Sequence, residues 1–152
     1  MDSRSSEFWR QFRSLNPAAP NTPAAAYHFC DNETDAETCL QLVLAGKKRA
    51  TAASLKEYEL AGDTLPVVGE FSVVTDFSGT PRAVIETTRM EIVRFGDVNE
   101  QFARDEGEGD LSLDWWRNAH RAYFTRVLSG TSTIVDDDLM IACEHFRLVH
   151  PM

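Results

Sequence analysis

Apolar positions are spaced along this chain in two distinct rhythms. Ala36, Cys39, Leu40, Val43 and Leu44 recur at i, i+3, i+4, i+7 and i+8, which lays one apolar stripe along a helix resting on a core. Gly46 follows as the left-handed residue that ends such a helix, and Thr34 or Asp35 is the expected cap at its start. Phe8, Trp9, Phe12 and Leu15 predict a shorter amphipathic helix over 5–15, stopped by the proline-rich run 16–23. Period-two alternation replaces the helical rhythm over Phe71–Phe77. With the turn Ser78-Gly-Thr-Pro81 and a longer strand over 83–95 it predicts a hairpin. A short strand over 25–29, a helical turn over 55–60, a helix over 96–104, a long helix to about Leu128 and a last strand over 139–149 complete the reading. Strands and helices of unequal length around an antiparallel hairpin indicate an α+β domain. Residues 1–23 are expected to form an N-terminal helix and arm, and residues 24–152 the domain proper.

Four places break these rhythms. Val84, Glu86, Thr88, Met90 and Ile92 share one face if the strand is regular, and Glu86 interrupts it. Glu144 interrupts the face of Met140, Ala142, Phe146 and Leu148 in the same way. A buried carboxylate is costly unless it meets a cation or hydrogen-bond donors. Lys48 or Arg49 is the expected partner, the alternative being that either Glu bridges an arginine across the sheet or faces solvent at a rim. On the long helix Trp116, His120, Tyr123, Phe124 and Val127 fall on one side. There His120 reads as a hydrogen-bonded core residue or a catalyst, and the aromatic stripe as packing or a surface for stacking bases. The run Asp105-Glu-Gly-Glu-Gly-Asp110 gathers carboxylates that could hold a divalent cation or merely cap and solvate a helix start. It lacks the spacing of an EF-hand loop.

Composition narrows the chemistry. The formal net charge of the 152 residues is −9, which argues against a broad basic coat for nucleic acid. Yet Lys47, Lys48, Arg49 and Lys56 fall within ten positions, and the hydroxyls of Thr51 and Ser54 follow the first three. Cations and hydroxyls on one short segment suit phosphate binding or activation of an oxygen nucleophile, and equally a solvated helix end. No apolar run approaches the roughly 20 residues of a membrane span. Cys30, Cys39 and Cys143 are odd in number and lack zinc-ligand spacing. The start, Met1-Asp-Ser-Arg-Ser-Ser-Glu7, has no apolar leader. A cytoplasmic location is the expectation.

Three segments together resemble the ASCH domain family, whose fold is similar to the RNA-binding PUA domain. They are Gly46-Lys-Lys-Arg-Ala-Thr51, the stretch Glu106–His120, and Cys143-Glu-His-Phe-Arg-Leu148. The resemblance spans about residues 27–149 and is to the longer bacterial members. It implies a PUA-like small β-barrel with helices packed around it, a lysine-lined cleft, and RNA or a ribonucleoside as ligand. Longer members imply a ribonuclease on single-stranded RNA, the leading reading. Lys48 would stabilise phosphate charge, Lys47 and Arg49 would bind the backbone with Ser54, Trp116 and His120 alongside, and Glu86 or His120 would take the proton. Shorter members imply an amidohydrolase on 4-acetylcytidine, with the roles of Lys, Thr and Glu falling on Lys48, Thr51 and Glu86. Glu144 stands as a second candidate acid. A non-catalytic reader of RNA or of a modified nucleotide is the third reading. No cofactor is demanded, although a divalent metal on the acidic loop could assist.

Overall fold

The computed structural model describes residues 1–151. Its helices are α1 (Ser3–Leu15), α2 (Glu33–Leu44), α3 (Leu55–Ala61), α4 (Glu100–Glu106) and α5 (Leu113–Val127). Its strands are β1 (Ala25–Tyr27), β2 (Ala50–Ser54), β3 (Phe71–Thr75), β4 (Pro81–Arg94) and β5 (Met140–His150). The strands form one curled sheet, a half-barrel, in the order β1-β3-β4-β5-β2. Only the β1–β3 pair is parallel. The expected α+β class therefore holds, with β1 and β2 as the two edges.

Local chemistry explains the helix ends. Asn32 rather than Thr34 or Asp35 caps α2, accepting from the Asp35 amide. Ser54 and Glu57 form a reciprocal capping box at the start of α3, satisfying two amides that would otherwise lack partners. Gly46 takes the left-handed conformation at φ 75° after α2, as its position required.

Each face of the sheet carries its own apolar cluster. Trp9 and Phe12 of α1 bury against Val73 and Val84 on one face, while Cys39, Leu40 and Val43 of α2 pack on Val74, Ile85 and Phe146 on the other. A third cluster joins Phe102, Trp116 and Phe124 to Phe95 and Ile141. The N-terminal helix thus closes the back of the sheet, leaving α2, α3 and α5 around the front.

One irregularity reorders the second half of β4. The β4–β5 register slips between Thr87 and Arg89, where an extra residue bulges out of β4. Because side chains alternate with period two, one inserted residue swaps the two faces beyond it. The regular face expected from Val84 to Ile92 is accordingly broken: Thr87 is buried while Thr88 and Ile92 are exposed.

Candidate functional site

A cleft of about 1040 Å³ opens on the front of the sheet between α2, α3 and α5. Lys48, Thr51, His120 and Glu144 line it, together with Cys30, Cys39, Glu57, Tyr58, Glu106, Glu108, Trp115 and Tyr123. Thr51 stands on β2, an edge strand where the sequence suggested only a loop.

Lys48 is 2% exposed. Its ammonium donates to the carbonyl of Ala50 at 2.8 Å, to Glu106 Oε1 at 3.0 Å and to Glu108 Oε2 at 2.8 Å. A lysine ammonium has three N–H groups, so all are engaged. The ammonium also lies over the Phe29 ring, 5.4 Å from the centroid, a favourable site for a cation. Burial alone would depress the lysine's pKa, but the two carboxylates outweigh it and hold the pKa above its ordinary value.

Glu106 is the hub of this cluster. Besides Lys48 it accepts from His120 Nε2 at 3.0 Å and from the indole N–H of Trp116. Burial favours its neutral form, yet Lys48, His120 and these hydrogen bonds pull its pKa well below the usual carboxylate range. His120 Nδ1 faces the Trp116 carbonyl at 2.9 Å, and a carbonyl can only accept. With Nε2 against a carboxylate, both ring nitrogens carry protons, so the ring is an imidazolium. Burial lowers the pKa of His120, but Glu106 reverses this and raises it. Two cations and two carboxylates therefore sum to zero, which is the condition under which buried charge is tolerable.

The acidic loop reaches Lys48 because of its glycines. Gly107 has φ 72°, and a Cβ there would come within 2.5 Å of the Lys47 carbonyl. Gly109, at φ 59°, lies against the Trp115 ring with equally little room. No side chain fits at either position, so the loop lies flat and aims Glu106 and Glu108 inward.

Sequence reasoning gave Lys48 the wrong carboxylate partners. Glu86 lies across from Phe71 and Arg147, accepts from the Arg147 guanidinium at 2.7 and 3.1 Å, and does not line the cleft. It shares its face of β4 with Val84, under α1, on the far side of the sheet from Lys48. Arg49 pairs with Asp105 at the surface, not with a strand acid. Lys47 is exposed and, like Arg49, is absent from the walls. Ser54 is buried as the cap of α3, and Trp116 is buried behind His120, stacked on it at 4.0 Å. Neither presents a surface to a ligand in the cleft. Glu106 and Glu108 were read as metal ligands or solvated caps. The glycines around them signal a tight loop but not the partner it approaches. Among the described residues no group of three or more His, Cys, Asp or Glu side chains is arranged to hold a metal ion.

Glu144 does line the cleft. It is 4% exposed and accepts from the Thr87 hydroxyl at 2.6 Å. Burial raises its pKa, opposed by the Thr87 bond and reinforced by Glu70. It sits opposite Thr51 in the β2–β5 ladder, where paired side chains share a face with Cβ atoms about 5 Å apart.

The walls are acidic overall. Asp31, Asp35, Glu57, Asp63, Glu70 and Glu144 join Glu106 and Glu108, against Lys48, Arg126 and the His120 imidazolium. Arg126 is itself held by Asp31 at 2.9 Å. Glu57 accepts from Tyr123 at 3.0 Å, tying α5 to α3 across the cleft.

Among the described residues no helix is long and apolar enough to cross a membrane. The family model for the ASCH domain matches residues 25–150. None of the curated proteins compared with the chain matches it. An ASCH domain from Lactobacillus crispatus JV V101 is 35% identical, superposes with a TM-score of 0.87, and is covered over 95% of its length by 97% of this chain. A protein from Enterococcus faecalis V583 is 29% identical with a TM-score of 0.88, covering 98% of this chain and 90% of that one. A variant ASCH protein from Zymomonas mobilis, 10% identical over 84% of this chain and 73% of its own, has a TM-score of 0.52 and shares the fold alone. With the lysine loop, the glycine-spaced acids and the curled sheet in place, this chain belongs to the ASCH domain family.

Proposed function

We propose that the cleft binds a ribonucleoside-sized ligand and hydrolyses an amide on its base, as in 4-acetylcytidine. The observation that carries this reading is the Lys48 ammonium, fixed between Glu106 and Glu108 in an acid-walled cleft that Thr51 also lines. A phosphate chain entering such a cleft would meet like charge, with its cost in a low-dielectric site. Lys47 and Arg49, the cations expected to grip that chain, lie outside it. An uncharged base with N–H donors is the better match, since carboxylates accept from exocyclic amines.

In this mechanism Thr51 is the nucleophile. Its Oγ attacks the acetyl carbonyl, and Glu144, across the β2–β5 ladder, receives the proton. Burial shifts the pKa of Glu144 upward, which makes its carboxylate a stronger base. The same proton then passes to the departing exocyclic nitrogen, and water cleaves the resulting Thr51 ester to acetate. Lys48 is held cationic, so its part is to stabilise negative charge on the carbonyl oxygen rather than to act as a base. Glu108, 18% exposed at its side chain, orients the ammonium and is the partner a substrate oxygen can replace.

The test is incubation of the purified chain with 4-acetylcytidine and, separately, with single-stranded RNA, followed by chromatography of the products. Cytidine and acetate from the first, lost in Thr51→Ala, support the reading. Cleaved RNA with untouched acetylcytidine would replace it with the ribonuclease. Binding of either without product would leave a reader of modified nucleotides.

A further inference from the structure

Cys30 and Cys39 both line the cleft and take no part in the chemistry above. Their sulfurs are 3.4 Å apart, and Cys39 Sγ also donates to Glu108 Oε1 at 3.4 Å. Since a thiol has one proton, Cys39 spends its own on Glu108 and accepts that of Cys30. The thiols thus form a short relay ending at the carboxylate that holds Lys48.

Three features point to a pair that reacts. Cys30 has φ 65°, a left-handed conformation that few residues with a side chain adopt, and strain of this kind concentrates at functional positions. Its loop is anchored on both sides of it: Asp31 binds Arg126 of α5, and Phe29 lies under the Lys48 ammonium. Cys30 is also half-buried on the cleft wall while Cys39 is buried behind it, so an oxidant meets Cys30 first.

We propose that Cys30 and Cys39 are a redox pair that closes reversibly to a disulfide in response to a peroxide. The Cys30 sulfur, as thiolate, attacks one peroxide oxygen, the O–O bond breaks, and the other oxygen leaves as water after protonation. This gives a sulfenic acid on Cys30. The Cys39 sulfur then attacks the Cys30 sulfur, the S–O bond breaks, and a second water departs with the Cys39 proton. Two thiols have lost two electrons and two protons, and the peroxide has become two waters. A disulfide needs about 2.05 Å between sulfurs, so the pair must close by roughly 1.4 Å. Cys39, which gives its proton to Glu108, has its pKa held above the ordinary thiol range, consistent with Cys30 as the sulfur that reacts first. Closing the bond removes the S–H that Cys39 gives to Glu108. Such transient pairs are the usual form of disulfide in a reducing compartment.

The proposal is independent of the substrate. The full chain is treated with hydrogen peroxide, free thiols are alkylated, and intact mass and peptide maps are recorded before and after a dithiol reductant. The expected result is loss of the mass of two hydrogens, a crosslink between the peptides of Cys30 and Cys39, an alkylated Cys143, and full reversal by reductant. Cys39→Ser should instead halt at a sulfenic acid on Cys30, trapped by dimedone. Unchanged thiols at Cys30 and Cys39, irreversible oxidation of Cys30 in the parent chain, or a crosslink between two chains would each overturn the proposal.

Discussion

Lys48 and Glu144 are buried ionisable groups in the same cleft, and their surroundings treat charge in opposite ways. In the Lys48 cluster, two carboxylates cancel the ammonium and an imidazolium, so each group remains ionised despite burial. Around Glu144 only the Thr87 hydroxyl answers the carboxylate, and burial pushes the acid toward its neutral form. Paired burial fixes a charge; unpaired burial makes it adjustable. One end of the cleft is therefore a permanent electrostatic fixture and the other a proton exchanger.

The most damaging way to break this contrast is Glu106→Gln. It leaves two buried cations, Lys48 and His120, with Glu108 as the remaining carboxylate of the cluster, so we expect a loss of about 3–5 kcal/mol of stability, read by urea unfolding. Next is Glu108→Gln, which leaves the fold but loosens the ammonium. Acetylcytidine turnover should fall by about a hundredfold, as for a misplaced catalytic group. The pH dependence of stability separates the two ends. Glu106 has a depressed folded pKa, so its contribution is full above the ordinary 4.5 and is lost as pH falls below that value. His120 has a raised folded pKa, so its contribution is full below 6.5 and is lost as pH rises through the folded value. Glu144 is also raised, which removes stability as pH climbs above 4.5. Glu144→Gln should abolish that decline, changing stability by no more than about 1 kcal/mol in melts across the pH range. It should also flatten the pH profile of turnover. The smallest effect belongs to Glu86→Ala. It breaks a pair whose arginine is 66% exposed at its side chain, and should cost under about 1 kcal/mol without altering ligand binding.

What could be read from residues alone followed from periodicity. The stripe at Ala36–Leu44 and the alternation at Phe71–Phe77 report contacts every few residues, and these gave α2 and β3 nearly whole. Thr51 and Lys48 were legible from the motif and lie at the cleft. Glu86 misled because both faces of the sheet carry apolar clusters, so its alternation with Val84 does not say which of two covered faces holds the cleft. Glu106 and Glu108 lie 58 and 60 positions from Lys48, and no local pattern encodes a meeting at that range. β2 was missed because an edge strand of small residues borrows its shape from β5.

The saturated ammonium has a further consequence. Nothing can be added to Lys48; a newcomer must substitute for Glu108. Its net gain is the difference between two acceptors, so weak acceptors are turned away however well they fit. The closed lysine thus works as a comparator: the oxyanion that forms on the attacked carbonyl can displace the carboxylate, whereas the neutral carbonyl it comes from competes poorly.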